Sequence, residues 1–254
     1  MIDQYQYITS LEPVKLSHQR SSMKASLLSD SERSDYRALI GQMNWVCTQT
    51  RPDIAFDVCD LSVTCNKSTV GDLLRLNKLV KRLNSYYLNI LFPKMSNLCK
   101  IECYSDASFA NLPDGSSQAG FIIFLVDQND VRCPLLWQSR KVRRVVKSTL
   151  AAETLALLDS AEAAVNIAAT IKEITKSSIE IHCKVDNKSL VEAIYSSKNV
   201  EDRRLKIDIA VIKDMLKNSE LSGISWVASA MQLADCLTKR GASTDRLCAA
   251  VSRN

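Results

Sequence analysis

The order of residues predicts an α/β protein in which a mixed sheet is covered by helices and preceded by a small, mainly helical subdomain. Three observations point there. Up to about residue 95, apolar side chains recur at three- and four-residue steps; from Leu98, three alternating apolar segments follow through short, turn-rich links; beyond these, helix-like and strand-like stretches alternate. The divisions read as a polar lead-in over 1–28, a helical subdomain over 29–97, a sheet-bearing domain over 98–242 and a tail over 243–254.

Residues 1–28 lack a clear period and hold Pro13 and a serine-rich patch around Ser21, which predicts an extended or mobile segment. Ser29 followed by Glu32 is a capping-box signal, and the helix it opens carries Tyr36, Leu39, Ile40, Met43 and Val46 on one side, with Trp45 read as apolar core beside them. Arg51-Pro52 stops that helix and starts another holding Ile54, Phe56, Val58 and Leu61. A cap at Thr69 or Gly71 opens a third, with Leu73, Leu76, Leu79, Val80 and Leu83 inward and Arg75, Lys78, Lys81 and Arg82 outward. Leu88 to Phe92 reads as a short strand closed by Pro93.

Ile101 to Tyr104, Gly120 to Val126 and Val131 to Trp137 predict an antiparallel meander, with turns around Pro113, Asp114 and Gly115 and at Gln128-Asn129-Asp130. Ser148 caps an alanine-rich helix, roughly Thr149 to Ile174, whose small residues let it lie close on a sheet. Ile179 to Val185 alternates as a strand, Asn187 caps a short helix through Ile194, and Arg203 to Leu216 is amphipathic. Ile224 to Val227 is the last predicted strand and Met231 to Lys239 the last predicted helix. Trp137 and Trp226, both in strands, are expected in the core.

The composition is that of an ordinary globular chain: 254 residues, 46% hydrophobic and 24% charged. Lys and Arg number 33 against 28 Asp and Glu, a mildly basic balance that is compatible with a nucleic-acid partner without indicating one. The nine cysteines are scattered, with no zinc-like spacing, which predicts reduced thiols in an intracellular compartment, cytoplasmic or nuclear, and not a secreted protein. No apolar run was found that approaches the roughly 20 residues of a membrane span, so no membrane association is expected.

Four carboxylates stand where an apolar segment ends or a helix runs: Asp106 at the end of the first strand, Glu153 about one turn into the alanine-rich helix, Asp186 after the fourth strand and Asp235 on the last helix. Singly, each has an ordinary reading as a turn former, helix cap, helix-dipole partner or solvated residue. As an ordered set they suit two Mg²⁺ ions, with Mn²⁺ able to substitute, because hard oxygen ligands hold such ions and a pair of them clamps both oxygens of a displacement at phosphorus.

The segments Tyr104-Ser105-Asp106-Ala107-Ser108-Phe109-Ala110, Ser148 to Leu157 (Ser-Thr-Leu-Ala-Ala-Glu-Thr-Leu-Ala-Leu), Val185-Asp186-Asn187-Lys188-Ser189 and Gln232-Leu233-Ala234-Asp235-Cys236-Leu237-Thr238-Lys239 resemble the four motifs of the ribonuclease H domain of copia-type retrotransposon Pol polyproteins. The resemblance covers about residues 98 to 242 and implies a ribonuclease H-like fold in which these acids bind Mg²⁺ and cut the RNA strand of an RNA–DNA hybrid. Tyr36-Arg37-Ala38-Leu39-Ile40-Gly41 and Thr50-Arg51-Pro52-Asp53-Ile54-Ala55-Phe56 are similar to the tail of the reverse transcriptase region of the same polyproteins, whose polymerase part is an expected partner. No Asp-Asp dipeptide occurs, so DNA synthesis is not expected, and Met1 ahead of a partial polymerase tail suggests a truncated element copy.

Two departures bear on activity. Leu150-Ala151-Ala152-Glu153-Thr154 leaves Glu153 the sole candidate where the family often has two glutamates, and Trp226 to Gln232 lacks the histidine that cellular ribonucleases H carry there, which implies slower turnover. The run Arg140 to Lys147 places cations ahead of the catalytic helix, so Lys141, Arg143, Arg144 and Lys147 are expected to meet phosphates. Ser108, Gln118 and Asn187 are expected to reach 2′-hydroxyls or base edges. The competing reading is an inactive or repurposed binding module of the same fold, which would bind hybrid without cutting it. A DNA strand-transferase fits the spacing less well, and His18 and His182 lack the setting of a histidine-based hydrolase.

Overall fold

The structure is a computed structural model that describes residues 2–112, 114–196 and 200–252, with the side chains of Leu98 and Cys99 also left outside that description. Pro113, expected in a turn, falls outside it. Contacts divide the chain into two units, 1–90 and 91–254.

The first unit is helical: α1 (Tyr5–Thr9), α2 (His18–Ser22), α3 (Asp30–Gln49), α4 (Ala55–Val63) and α5 (Val70–Ser85). Capping boxes close the starts of α3, through Ser29 and Glu32, and α5, through Thr69 and Asp72. Tyr36, Met43 and Val46 of α3 are fully buried, as are Leu73, Leu76 and Val80 of α5. Arg51, fully buried, forks onto both oxygens of Asp53 at 2.8 Å each and donates to the Tyr86 carbonyl at 2.9 Å.

Three expectations for this unit are corrected. The lead-in is not extended throughout: it forms α1 and α2, buries Ile8, Leu11 and Leu28, and is pinned where the Asn77 amide both accepts from the Val14 N–H at 2.9 Å and donates to its carbonyl at 2.8 Å. Long-range bonds of this kind leave no period in the sequence. Leu88 to Phe92 makes only an isolated bridge, Ile90 to Ile2, because no further strand lies beside it. Trp45 is 53% exposed, one position off the buried stripe.

The second unit carries β1 (Leu98–Ser108), β2 (Gln118–Asp127), β3 (Arg132–Lys141), α6 (Thr149–Thr175), β4 (Glu180–Val185), α7 (Lys188–Tyr195), α8 (Arg203–Lys217), β5 (Gly223–Trp226) and α9 (Asp245–Ser252). The mixed five-stranded sheet runs β3-β2-β1-β4-β5, antiparallel between β1, β2 and β3 and parallel between β1, β4 and β5. Helix α6 lies across β1, β2 and β4, with α8 against α6, and the core between them holds Ile101, Cys103, Ile123, Leu157, Cys183 and Ile212. The expected class, a mixed sheet covered by helices, is the one observed.

By length and composition α6 is apolar enough to cross a membrane, contrary to the reading of the sequence; here Ala152, Ala156, Leu157, Ala161 and Ala164 are buried along it. The expected helix from Met231 to Lys239 is instead two single 3-10 turns, Ser229–Met231 and Asp235–Leu237. The stretch expected as a tail forms α9, which buries Leu247, Cys248 and Val251; residues 253 and 254 lie outside the described residues. Trp226 is 43% exposed on the edge strand and Trp137 only half-buried, so neither is a core residue.

Candidate metal centre

Parallel pairing of β1 with β4 sets the site. Tyr104 lies opposite Lys184, so two residues further along, Asp106 inside β1 and Asp186 just past β4 come to the same end of the sheet. Glu153 comes down onto that end from the start of α6, which is fixed by the Ser148 hydroxyl accepting from the Ala151 N–H at 3.2 Å. Carboxylate oxygens of Asp106, Glu153 and Asp186 lie within 4.8 Å of one another, and Asp106 and Glu153 are buried. Burial, then the charges around it, pushes the Glu153 carboxyl up to about 9, with Asp106 and Asp186 adding to the rise and Lys239 and an Ala107 backbone hydrogen bond opposing it. Asp106 rises to about 6, also mainly through burial, despite Lys239 and Thr238 beside it.

Asp235, the fourth expected ligand, is not one of the three converging acids. Its carboxylate takes the ammonium of Lys239, which lies 3.7 Å from Asp106 Oδ2. The Thr238 hydroxyl donates to the same Asp106 oxygen. The 235–239 turn is held down by Gln232, whose amide donates to the Ser105 carbonyl at 2.9 Å, by Asn111 donating to the Thr238 carbonyl at 3.0 Å, and by close approach to Gly120. Burial disfavours charge on Lys239, but Asp106, Asp235 and Asp186 outweigh it and hold its pKa above the ordinary lysine value.

The donor set fits a hard divalent cation. Glu153 Oε2 is buried and takes no hydrogen bond from the described residues, and a cation would supply its missing partner. Asp106, Glu153 and Asp186 are the residues that would hold the ion.

Of the expected substrate-contacting residues, Gln118 is turned inward, while the others lie nearer the surface. Gln118 is fully buried and donates to the Ser139 hydroxyl at 2.7 Å, which in turn donates to the Leu237 carbonyl at 2.6 Å; it braces the turn rather than facing a substrate. Asn187 accepts from the Leu190 N–H at 3.1 Å as the cap of α7. Lys141 pairs with Asp114 and Arg144 with Asp208, and Lys147 lies 4.0 Å from Asp202. Arg143 is exposed, and Ser108 is half-buried at the end of β1. Lys239, Thr238, Gly120 and Gln232 went unassigned, although three of them lie in or beside the last motif. Trp226 was also passed over as core; its indole N–H donates to the Asp186 carbonyl at 3.0 Å, with the Lys188 ammonium 4.4 Å from its ring centre.

A mixed sheet whose central strand and parallel neighbour present acids at one end, met by a glutamate from the covering helix, defines an α/β domain with an acidic cluster that could hold a metal ion. In sequence the chain is related to a segment of retrotransposon Pol polyproteins: it is 30% identical over 230 residues to the retrovirus-related Pol polyprotein from transposon RE1 of Arabidopsis thaliana. It is 28% identical over 214 residues to that from transposon RE2 of the same plant. These alignments cover 86% and 81% of this chain, but the chain spans only 15% and 14% of the length of those relatives. No family model matches. Among solved structures it is similar to ribonuclease H1 from Halobacterium salinarum, at 18% identity and a TM-score of 0.42 over 55% of this chain and 94% of that one. It is also similar to the N-terminal ribonuclease H domain of a Mycobacterium tuberculosis protein, at 20% identity and a TM-score of 0.39 over 60% of this chain and 96% of that one.

Proposed function

We propose that the chain is a Mg²⁺-dependent endonuclease, with Mn²⁺ able to substitute, that cuts the RNA strand of RNA–DNA hybrids as a portion of a retrotransposon Pol polyprotein. The observation that carries this reading is the convergence of Asp106, Glu153 and Asp186 from a strand, a helix and a second strand into one partly desolvated cluster. A bound divalent ion would polarise the phosphate and make the attacking water easier to deprotonate. The chain's own part is to hold the ion on the triad, to fix Asp106 through Thr238 and Lys239, and to offer Arg143 and Lys147 to the hybrid backbone. The Pol relationship supports a polymerase part of the parent polyprotein as a partner, and the buried thiols of Cys103 and Cys183 in adjacent strands support a reducing intracellular setting.

The test is cleavage of end-labelled RNA annealed to DNA. RNA products are expected with Mg²⁺ or Mn²⁺, none with EDTA and none from Asp106→Asn. A folded protein that binds hybrid and leaves it intact with either metal would remove the enzymatic claim and leave a binding module.

A further inference from the structure

The charge at this site is not all acidic. The Lys239 ammonium pairs with Asp235 and lies 3.7 Å from Asp106, so it bridges the fourth carboxylate and the buried triad. It is no loose surface lysine. Its backbone N–H donates to the Asp235 carbonyl at 3.2 Å, the preceding Thr238 is bonded to Asp106 and Asn111, and its side chain is 42% exposed. A second divalent ion shared between Asp106 and Asp235 would meet this ammonium at close range. Formal charge runs the same way: four carboxylates and one ammonium give −4 + 1 = −3, which one divalent ion on the triad reduces to −1.

We infer that Lys239 takes the place of a second metal ion, so that the free chain binds one divalent cation on Asp106, Glu153 and Asp186 and supplies its other positive charge from within. The inference rests on the metal-centre reading above and changes its stoichiometry from the two ions expected on sequence. With one proton given to Asp235 and its charge 3.7 Å from Asp106, the half-exposed ammonium keeps a donor for a substrate phosphate oxygen, as a charge-assisted hydrogen bond.

Titration of the full chain with Mn²⁺, followed by electron paramagnetic resonance, tests it without relying on turnover. One ion per chain with an uncoupled spectrum is expected for the unaltered protein. Lys239→Gln should bind two, the second at least tenfold more tightly than in the unaltered chain, with the line pattern of a spin-coupled pair; Lys239→Arg should return to one. Two ions in the unaltered chain would overturn the inference even if the glutamine variant does not fold, and so would one ion in both that chain and a folded Lys239→Gln. A folded, unaltered chain that binds no Mn²⁺ removes the metal centre itself, and this inference with it.

Discussion

A side-chain carbon on Gly120 would come within 2.6 Å of Leu237 Cβ, so the turn that presents Asp235, Thr238 and Lys239 rests on β2 only because residue 120 has none. Gly120→Ala must push the turn outward. It is expected to cost about 1–3 kcal/mol, as overpacking does, and to weaken Mn²⁺ binding roughly tenfold by releasing the groups that orient Asp106. Thermal melting and a metal titration of the variant check both; unchanged values would mean that the turn is not seated here.

Asp106 at about 6 and Glu153 at about 9 both lie above ordinary carboxylates, chiefly through burial. Between the unfolded values near 4 and these, the folded chain keeps protons that the unfolded chain has lost, so stability falls as pH rises through that window. The metal-free protein is therefore expected to melt higher at pH 5 than at pH 8, and Mg²⁺ to narrow that gap by stabilising the ionised cluster at pH 8. Binding at pH 7 should also release a proton from Glu153, read as a dependence of the titration heat on buffer. A melting temperature flat across this range without metal would contradict the buried cluster.

Glu153→Gln keeps the shape and removes the need to take up a proton on folding. At pH 8 the metal-free variant should be more stable than the unaltered chain while losing Mn²⁺ binding, an opposite movement of two quantities that a merely misfolded variant would not produce. Differential scanning calorimetry with and without metal separates them.

In the helical unit, Asp53→Ala would strand the Arg51 guanidinium in a site where it is 1% exposed. Loss of one partner from a buried pair typically costs about 3–5 kcal/mol. Urea unfolding of this variant beside Asp57→Ala, which breaks only the exposed pair with Arg82 and should cost under about 1 kcal/mol, measures the contrast.

Arg143 and Arg144 are adjacent, yet only Arg144 has an acidic partner among the described residues, both oxygens of Asp208. Arg143→Ala should lower hybrid affinity and the salt slope by about one counterion with stability unchanged, whereas Arg144→Ala should show first as a lower melting temperature. Equal effects on binding and none on stability would mean that the Asp208 pair does not hold in solution.

What could be read from the sequence was what short-range chemistry dictates. The caps at Ser29, Thr69, Ser148 and Asn187 act within three residues, and each helix begins where its cap stands. Asp106 and Asp186 were legible because each carboxylate follows an alternating apolar run, although β1 continues past Asp106 to Ser108. The 235–239 turn was not, since Gln232 and Leu237 are arranged by Ser105 and Gly120, more than a hundred positions away. For the same reason the run from Arg140 to Lys147 looked open: its partners Asp159, Asp114 and Asp208 come from other elements. Trp226 misled because alternation identifies a side of a strand, not whether that side is covered.

Gln232 and Thr238 meet β1 across 127 and 132 positions, while β1, β2 and β3 are joined by short links and pair as neighbours. During synthesis the meander can assemble early, but the last-made turn must emerge before Asp106 acquires its threonine and lysine neighbours. Orientation of Asp106 therefore arrives late on the ribosome, and a nascent chain stalled before residue 232 would hold all three acids of the triad yet lack the turn that fixes one of them.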